Sequence, residues 1–159
     1  LFRSAGDTMH ALERDHDRVI DVLECPFNIL NKSNLEVVKL AKERNIAVMT
    51  SQPLASGILT GKYREGARFA EGDNRRGFWS EERFEAVRPD MEIVEACTAE
   101  TGLSMGHLAL AYNMTYPGIS CVIPGAKNAA QALDNAAATG LRLSSEIMER
   151  LSSTKGFVF

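Results

Sequence analysis

The chain has 159 residues, of which 45% are hydrophobic and 25% charged, and its formal net charge is −3 at pH 7. This composition is typical of a globular domain of ordinary size and excludes a disordered or fibrous chain. The slight negative charge, without a long run of like charges, argues against a nucleic-acid-binding surface and against a polybasic membrane anchor.

Three cysteines, Cys25, Cys97 and Cys121, lie in apolar surroundings and lack the spacing of a C-x-x-C motif or a Cys/His cluster. They predict buried thiols in a reducing compartment and no metal site. Neither a signal peptide nor an apolar span of about 18 residues is evident, so we expect a cytoplasmic protein without a membrane partner. Leu1 in place of an initiating methionine is what a fragment or a processed chain would show.

The first part of the chain alternates between helical and strand patterns. An amphipathic stretch over 7–15 predicts a helix, and the apolar run over 19–25 predicts a strand ended by Pro26. Ser33 and Glu36 have the spacing of a capping box, in which each side chain accepts from a backbone N–H near the start of a helix.

The capping box predicts a helix over 35–44, and Asn45 is a suitable stop before an apolar strand over 46–50. Because that strand is apolar nearly throughout, we expect it to be buried on both faces. The segment 51–80 has no clear periodicity and carries five glycines, which predicts a functional or mobile loop.

Two aromatic residues close the long loop, Phe78 and Trp79, and they would either cap a substrate pocket or pack the loop onto the protein. A charged helix is expected to begin at Ser80 and to restart at Pro89, reaching about residue 101. The rest of the chain predicts a helix capped by Ser104, a strand and two further helices, over 105–114, 119–123, 128–139 and 144–151.

This order of elements predicts an α/β fold with about three parallel strands joined by right-handed crossovers. A complete (β/α)₈ TIM barrel needs about 250 residues, so a chain of this length could supply about half of one. The last strand ends in Pro124-Gly125 before a polar helix start, with Lys127 close by. An anionic ligand would be favoured there, because the helix start presents unpaired N–H groups and the positive end of its dipole.

Three motifs, taken together and in this order, resemble the C-terminal half of an aldo-keto reductase: 24–30 (ECPFNIL), 52–63 (QPLASGILTGKY), and 123–125 (IPG) with Asp134-Asn135. The resemblance covers about residues 17–151. It implies the C-terminal half of a (β/α)₈ barrel over 1–159, with no second domain. In this family NADPH, or less often NADH, binds at the C-terminal ends of the strands and exchanges a hydride with an aldehyde or ketone.

The resemblance assigns cofactor contacts to residues at the strand ends. Glu24 stands where the family usually has a glutamine that holds the nicotinamide carboxamide, and a carboxylate can accept a hydrogen bond from that amide. Ser51 stands where many members have an aromatic residue under the nicotinamide ring. Asn28 belongs to the first motif, although an asparagine after a strand is, taken alone, most often a turn residue.

The other two motifs supply the rest of the expected site. Those matching the pyrophosphate-lining loop are Gln52, Leu54, Ser56 and Gly57; those matching the segment that receives the adenosine 2′-phosphate are Gly125, Ala126, Lys127, Asn128 and Gln131; Asp134 and Asn135 match the pair that holds the adenine. NADPH-specific members usually carry Lys, Ser and Arg at the positions of Gly125, Ala126 and Gln131. Lys127 therefore carries the expected preference for NADPH, and NAD remains the second cofactor.

Simpler interpretations stand beside these. Lys127 alone would most often be a solvated side chain. His107 is most simply a half-buried structural residue, and His10 and His16 are expected at the surface. Asn74-Arg75-Arg76 resembles a basic element that many family members carry, and we expect its loop, from Gly61 to Trp79, to fold over a bound cofactor.

The catalytic Asp, Tyr, Lys and His of the family belong to the N-terminal half of its barrel, which no segment of this sequence matches, so no catalytic residue is assigned. Two functions remain open. One is an NADPH-dependent reductase of small carbonyl substrates, with this chain as the cofactor-binding half. The other is a non-catalytic NADP-binding or partner-binding module, in which a partner completes the half-barrel and covers its apolar face.

Overall fold

A computed structural model describes residues 5–63, 66–73 and 75–156 of the chain, apart from the side chains of residues 77 and 78. The described part is an α/β structure with three strands. Its elements are α1 (Ala5–Arg14), β1 (Val22–Pro26), α2 (Leu35–Glu43), β2 (Ala47–Ser51), a 3₁₀ helix (Ala55–Thr60), α3 (Arg75–Phe78), α4 (Glu81–Thr101), α5 (Met105–Thr115), β3 (Ile119–Ile123), α6 (Ala129–Ala137) and α7 (Ser145–Ser152).

The three strands form one parallel sheet in the order β1-β2-β3. The last residues of the strands, Pro26, Ser51 and Ile123, are partners in the register. The carboxyl ends of all three strands therefore meet along one edge of the sheet. The predicted parallel sheet of about three strands is confirmed.

The core lies on the helix-covered face of the sheet. Side chains alternate between the two faces of a strand, and on β1 and β2 the alternate residues Leu23, Cys25, Val48 and Thr50 are buried. Immediately after β1, the fully buried Phe27 ring stacks on Tyr112 of α5 at a centroid distance of 6.1 Å and an interplanar angle of 4°. The expected burial of β2 on both faces is wrong, because its other residues are only half-buried.

β1 begins three residues later than predicted. The backbone N–H groups of Val19 and Ile20 donate to the Asp15 carboxylate at 2.8 and 3.2 Å, which ties these two residues to the end of α1. A side chain that captures two backbone donors removes them from strand pairing. The run therefore enters the sheet only at Val22.

The predicted capping box at the start of α2 is wrong. The N-cap is Asn34, which makes no side-chain capping bond. The Ser33 hydroxyl instead bonds to Asn31 Oδ1 at 2.7 Å, and Glu36 forms an ion pair with Lys39 at 2.7 Å. Because the Ser33 hydroxyl bonds to the Asn31 side chain, it does not cap the helix.

α4 continues through Pro89, where the sequence predicted a restart. Proline removes the N–H that the carbonyl of Glu85 would otherwise accept from, and it normally breaks a helix for that reason. Both Pro89 and Glu85 are exposed, so water can reach that carbonyl. The next residue, Asp90, is buried and accepts from the N–H groups of Lys155 and Gly156, both at 2.9 Å.

β3 is much more exposed than its apolar sequence suggested. Its residues are half-buried or exposed, and the prediction that Cys121 is buried is wrong. β3 has a strand neighbour on one side, and Cys121 lies on the sheet face that the helices leave open. Cys25 and Cys97 are buried as predicted.

Other local predictions are confirmed. Ser104 caps α5 as predicted, by accepting from the His107 N–H at 3.2 Å. The structure adds a cap that the sequence did not predict, Ser144 of α7, which accepts from the Ile147 N–H at 3.3 Å. The long loop contains the 3₁₀ helix and α3. Trp79 is buried against Phe84, with ring centroids 5.3 Å apart, which favours the packing role for this tryptophan; the Phe78 side chain lies outside the described residues. Over the same described ranges, no helix is both long and apolar enough to cross a membrane.

Candidate functional site

The residues that the sequence assigned to a site follow the ends of the strands. Glu24 lies near the end of β1, Ser51 ends β2, and the two longer segments, 52–57 and 125–135, follow β2 and β3. Because the strand ends align, these segments are brought to one edge of the sheet. In parallel α/β structures this edge carries the ligand site, since the loops there are free to vary above a rigid sheet.

Glu24 and Ser51 occupy the open face of the sheet. Glu24 is the register partner of Met49, which is two residues before Ser51, so both side chains lie on the same face. Glu24 is exposed and Ser51 half-buried. A flat ligand lying over the ends of β1 and β2 could therefore contact both.

The segment after β2 is a tight turn with an unusual backbone. Gln52, Ala55 and Ser56 have φ of 56°, 47° and 54°, and Gly57 has φ of 97°. Left-handed conformations are costly for residues other than glycine and tend to occur at functional sites. Within the turn, the Leu54 carbonyl accepts from the N–H groups of Gly57 at 2.9 Å and Leu59 at 3.2 Å, and these bonds help to hold it.

Asn28 fastens this turn to the end of β1. It is fully buried, and its Nδ2 donates to the Gln52 carbonyl at 2.8 Å while its Oδ1 accepts from the Leu30 N–H at 2.9 Å. Both ends of its side chain are thus bonded inside the protein. The sequence allowed Asn28 to be either a turn residue or a cofactor contact. These two bonds favour a role in positioning the Gln52 turn.

A cluster around Arg75 packs against the other side of the turn. The Arg75 guanidinium lies over the rings of Tyr63 and Phe69, at 4.7 and 5.0 Å from their centroids. A Cβ added at Gly57 would come within 3.1 Å of the Tyr63 ring. The sequence pointed to Arg75 only as part of a basic element whose first residue, Asn74, lies outside the described residues, and it did not predict the two rings.

Asp73 is paired with Arg75 and lies within electrostatic range of Lys127 in the segment after β3. Hydrogen bonds from Arg75, including Nε to Oδ1 at 2.8 Å, hold the pKa of the Asp73 carboxyl well below its usual range, and the charge of Lys127 lowers it further. The same bonds to Asp73 raise the pKa of Arg75. The long loop and the turn after β3 therefore come close enough for their charges to interact.

The turn after β3 is built by a reciprocal capping arrangement. Asn128 is the N-cap of α6, and its Oδ1 accepts from the Gln131 N–H at 2.9 Å. The Gln131 side chain in turn accepts from the Lys127 N–H at 2.7 Å. Asn128 and Gln131 thus shape the turn itself, while Ala126 and the Lys127 side chain remain exposed. Gly125 has open space where a Cβ would lie.

The last predicted pair lies on α6. Asn135 Nδ2 donates to the Gly125 carbonyl at 3.2 Å, which links the helix to its own entry turn. Asp134 is exposed and interacts with His107 of α5: His107 Nε2 lies 2.9 Å from the Asp134 carbonyl oxygen and 3.2 Å from its Oδ1. His107 is half-buried, as predicted, but its contact with a predicted site residue was not foreseen.

The residue types at this edge suit a nucleotide rather than a metal. Among the described residues, no group of three or more His, Cys, Asp or Glu side chains could hold a metal ion. The edge instead offers a strained backbone turn, the exposed Lys127 and the capped start of a nine-residue helix. Backbone N–H groups, a cation and a helix dipole are the elements that bind phosphate groups.

Comparison with known proteins gives the family. The model of the aldo/keto reductase family matches residues 4–155. A probable voltage-gated potassium channel subunit beta of Arabidopsis thaliana is 32% identical over 127 residues, which cover 75% of this chain and 38% of that protein. The NADP(+) aldo-keto reductase yakc of Schizosaccharomyces pombe is 27% identical over 135 residues, covering 83% of this chain and 40% of the relative.

L-glyceraldehyde 3-phosphate reductase of Escherichia coli O157:H7 is 26% identical over 137 residues, covering 80% of this chain and 40% of that enzyme. The chain thus spans about two fifths of the length of the curated relatives it matches. The family match agrees with the three motifs and with the strand ends that carry them. The chain belongs to the aldo/keto reductase family.

Proposed function

We propose that this chain is the cofactor-binding part of an aldo/keto reductase, which transfers a hydride between NADPH and a small aldehyde or ketone. The family and the oxidoreductase relatives support oxidoreductase function. The family fold is a (β/α)₈ barrel, and a sheet of three parallel strands with helices on one face is consistent with part of one. In this proposal residues 1–159 form the C-terminal portion of that barrel.

The alignment of the three strand ends carries the proposal. Pro26, Ser51 and Ile123 are neighbours in the register, so the three family motifs lie side by side at one edge. A dinucleotide in an extended pose could cross this edge from the open face beside Glu24 to the turn at Lys127. The order of the motifs in space would then match the order of nicotinamide, pyrophosphate and adenosine.

Each segment would have a separate task. Glu24 and Ser51 would orient the nicotinamide, which supplies the hydride when the cofactor is bound. The Gln52–Gly57 turn, held from below by Asn28, would line the pyrophosphate. Lys127 would attract the 2′-phosphate that distinguishes NADPH from NADH, since hydrogen bonds between an ammonium group and a phosphate are stronger than neutral ones.

Proton donation to the carbonyl oxygen is assigned in this proposal to another part of the barrel. Tyrosine is the usual acid in the family, but the tyrosines described here have other surroundings. Tyr112 is fully buried on the helix side of the sheet, and burial raises its pKa to about 12. Tyr63 lies beneath the Arg75 guanidinium. Tyr116 packs against the buried Phe27 ring, with centroids 4.9 Å apart. The surroundings of all three tyrosines thus differ from the open face beside Glu24.

The test is a fluorescence titration of the chain with NADPH and with NADH, using Lys127→Ala and, as a matched control, Lys39→Ala. Lys39 is an exposed lysine on α2, away from the strand ends. We expect Lys127→Ala to weaken NADPH binding about ten- to hundredfold and to leave NADH binding unchanged, because one charge-assisted phosphate contact contributes about 1.5–3 kcal/mol. Lys39→Ala should bind both as the unaltered chain does. If the unaltered chain binds neither nucleotide, the proposal is wrong.

A second candidate function is a non-catalytic NADP-binding or partner-binding module. It is favoured by the relatives that are named as probable potassium channel subunits, and by the open sheet face on which Val22 and Ile123 are 52% and 39% exposed. Two observations separate the candidates. The reductase predicts an Asp, Tyr, Lys and His pattern encoded upstream of Leu1 and aldehyde-dependent NADPH oxidation by the extended protein, whereas the module predicts nucleotide binding without turnover.

A further inference from the structure

α6 is held loosely by packing. Within Ala129–Ala137 no side chain is buried, and Leu133 is 73% exposed. A half-open cleft of about 300 Å³ lies between this helix, α5 and β3, and its lining includes Leu110, Val122 and Asn135. A helix that buries none of its side chains and borders an open cleft gains little positional definition from close packing.

Polar contacts must therefore contribute much of the definition of α6. Asn135 ties the helix to its own entry turn through the Gly125 carbonyl. His107 ties it to a different element, since its Nε2 contacts both the carbonyl oxygen and Oδ1 of Asp134 at 2.9 and 3.2 Å. The first contact fixes the helix relative to the turn, and the second fixes it relative to the core.

His107 is well placed for that role because its own position is rigid. It lies in the first turn of α5, where its N–H donates to the Ser104 cap. The following residues of α5, from Leu108 to Asn113, are all buried. The contact thus joins a helix with six consecutive buried residues to a helix with no buried side chain.

The chemistry of the contact specifies which atom carries the proton. A carbonyl oxygen can only accept, so His107 Nε2 must carry a hydrogen, and this hydrogen is shared with the nearby carboxylate oxygen. Any side chain that places an N–H donor at the same point would make the same bond. Glutamine can do so with its Nε2, whereas leucine has a similar volume and no donor.

We propose that His107 is a positioning residue for the adenosine end of the cofactor, which it orders by holding Asp134 and the adjoining Asn135 against α5. This inference rests on the proposed function, because it takes that pair as the adenine contact. His107 itself need not touch the nucleotide. Its removal should weaken the adenosine end of the site and leave the nicotinamide end, which belongs to β1 and β2, unaffected.

The experiment compares His107→Leu with His107→Gln, and uses His10→Leu on α1 as a control for loss of an exposed histidine. Binding of NADPH, adenosine 2′,5′-bisphosphate and reduced nicotinamide mononucleotide is measured for each. We expect His107→Leu to weaken the first two about fivefold, as loss of one hydrogen bond would, and to leave the mononucleotide within about twofold. His107→Gln and His10→Leu should match the unaltered chain.

Hydrogen exchange of the α6 amides in the absence of nucleotide supplies a second measurement. We expect faster exchange over 129–137 in His107→Leu, with His107→Gln restoring the original rate. Unchanged bisphosphate binding in His107→Leu, equal weakening of the mononucleotide, or failure of glutamine to restore binding would each overturn the inference. Lack of NADPH binding by the unaltered chain would overturn the proposed function instead, and the exchange rates would then still decide whether His107 positions α6.

Discussion

The two lateral sides of the three-stranded sheet, which we call the β1–β2 end and the β3–α6 end, differ in how they are stabilised. At the β1–β2 end, alternate strand residues are buried under α2, whose Val37, Val38 and Ala41 are buried as well. At the β3–α6 end, every β3 residue keeps some exposure and α6 buries none of its side chains. The first end is stabilised by apolar burial, whereas α6 at the second end is held largely by hydrogen bonds.

This difference parallels the proposed site, in which β1 and β2 hold the nicotinamide and the segment after β3 holds the adenosine end of the cofactor. Burial of apolar area is strong and insensitive to small displacements, whereas a hydrogen-bonded turn can be displaced at a cost of about 1 kcal/mol per bond. The cofactor-facing segments extend from both ends, so one part of the site rests on a rigid base and the other on a deformable one. The comparison predicts where a substitution changes stability and where it changes binding alone.

The largest effect is expected at Phe27, on the packed end. Phe27→Ala removes a fully buried ring that contacts Tyr112 and Tyr116, the latter with centroids 4.9 Å apart. The free energy of unfolding should fall by about 3–5 kcal/mol, measured by urea denaturation. Leu133→Ala on α6 is the matched truncation at the other end, and it should change that free energy by less than about 0.5 kcal/mol. Similar losses for the two variants would contradict the difference between the ends.

A smaller effect should follow from adding one methyl group to each nucleotide segment. Gly57→Ala forces alanine to adopt a φ of 97° and brings its Cβ to 3.1 Å from the Tyr63 ring. We expect a loss of about 1–3 kcal/mol of unfolding free energy. Gly125→Ala meets nothing within 4 Å and should be nearly neutral. Circular dichroism melts of both variants measure this, and a Gly57→Ala variant as stable as the original would show that the turn relaxes without strain.

The pH dependence of stability should differ between the buried Cys25 of β1 and the exposed Cys121 of β3. Burial, and to a smaller extent the charge of Glu24, raises the pKa of the Cys25 thiol from 9.0 to about 11. The unfolded chain therefore loses this proton first, and the stability contributed by the neutral thiol is complete below pH 9 and lost as the pH rises to 11. Cys25→Ala should flatten the decline in unfolding free energy over that range by about 2 kcal/mol.

Cys121→Ala is the control for this titration, because Cys121 is exposed on the open face. Its unfolding free energy should fall between pH 9 and 11 as steeply as that of the unaltered chain. Equal slopes for Cys25→Ala and Cys121→Ala would mean that the buried thiol does not contribute to the alkaline loss of stability.

Local patterns predicted most of the fold. The apolar runs indicated the three strands, and Ser104 caps α5 as the sequence predicted. The errors arose where a side-chain hydrogen bond or solvent exposure, and not the hydrophobic pattern, decides the structure. Asp15 delays the start of β1 by accepting from two backbone N–H groups, and α4 continues because both Pro89 and Glu85 are exposed. Hydrophobic periodicity reveals neither effect.

The candidate site shows the same limit. The motifs named residues at the three strand ends, and the register brings those ends together, although the individual cofactor contacts remain predictions. No motif could show that Asn28 bonds to the Gln52 carbonyl, or that His107 reaches Asp134. These contacts join segments 24 and 27 residues apart in the chain, and they depend on how strands and helices pack rather than on local spacing.

The smallest expected effect concerns the two helix starts that the sequence and the structure assign differently. Ser33 was the predicted cap and makes no capping bond, whereas Asn128 was a predicted phosphate contact and caps α6 through Gln131. Asn128→Ala should therefore cost about 1 kcal/mol of unfolding free energy, and Ser33→Ala should cost clearly less. Because the Asn128 cap also shapes the turn that presents Lys127, Asn128→Ala should in addition weaken NADPH binding. A variant that loses NADPH binding at unchanged stability would show that Asn128 contacts the cofactor directly and that its capping bond is of little energetic value.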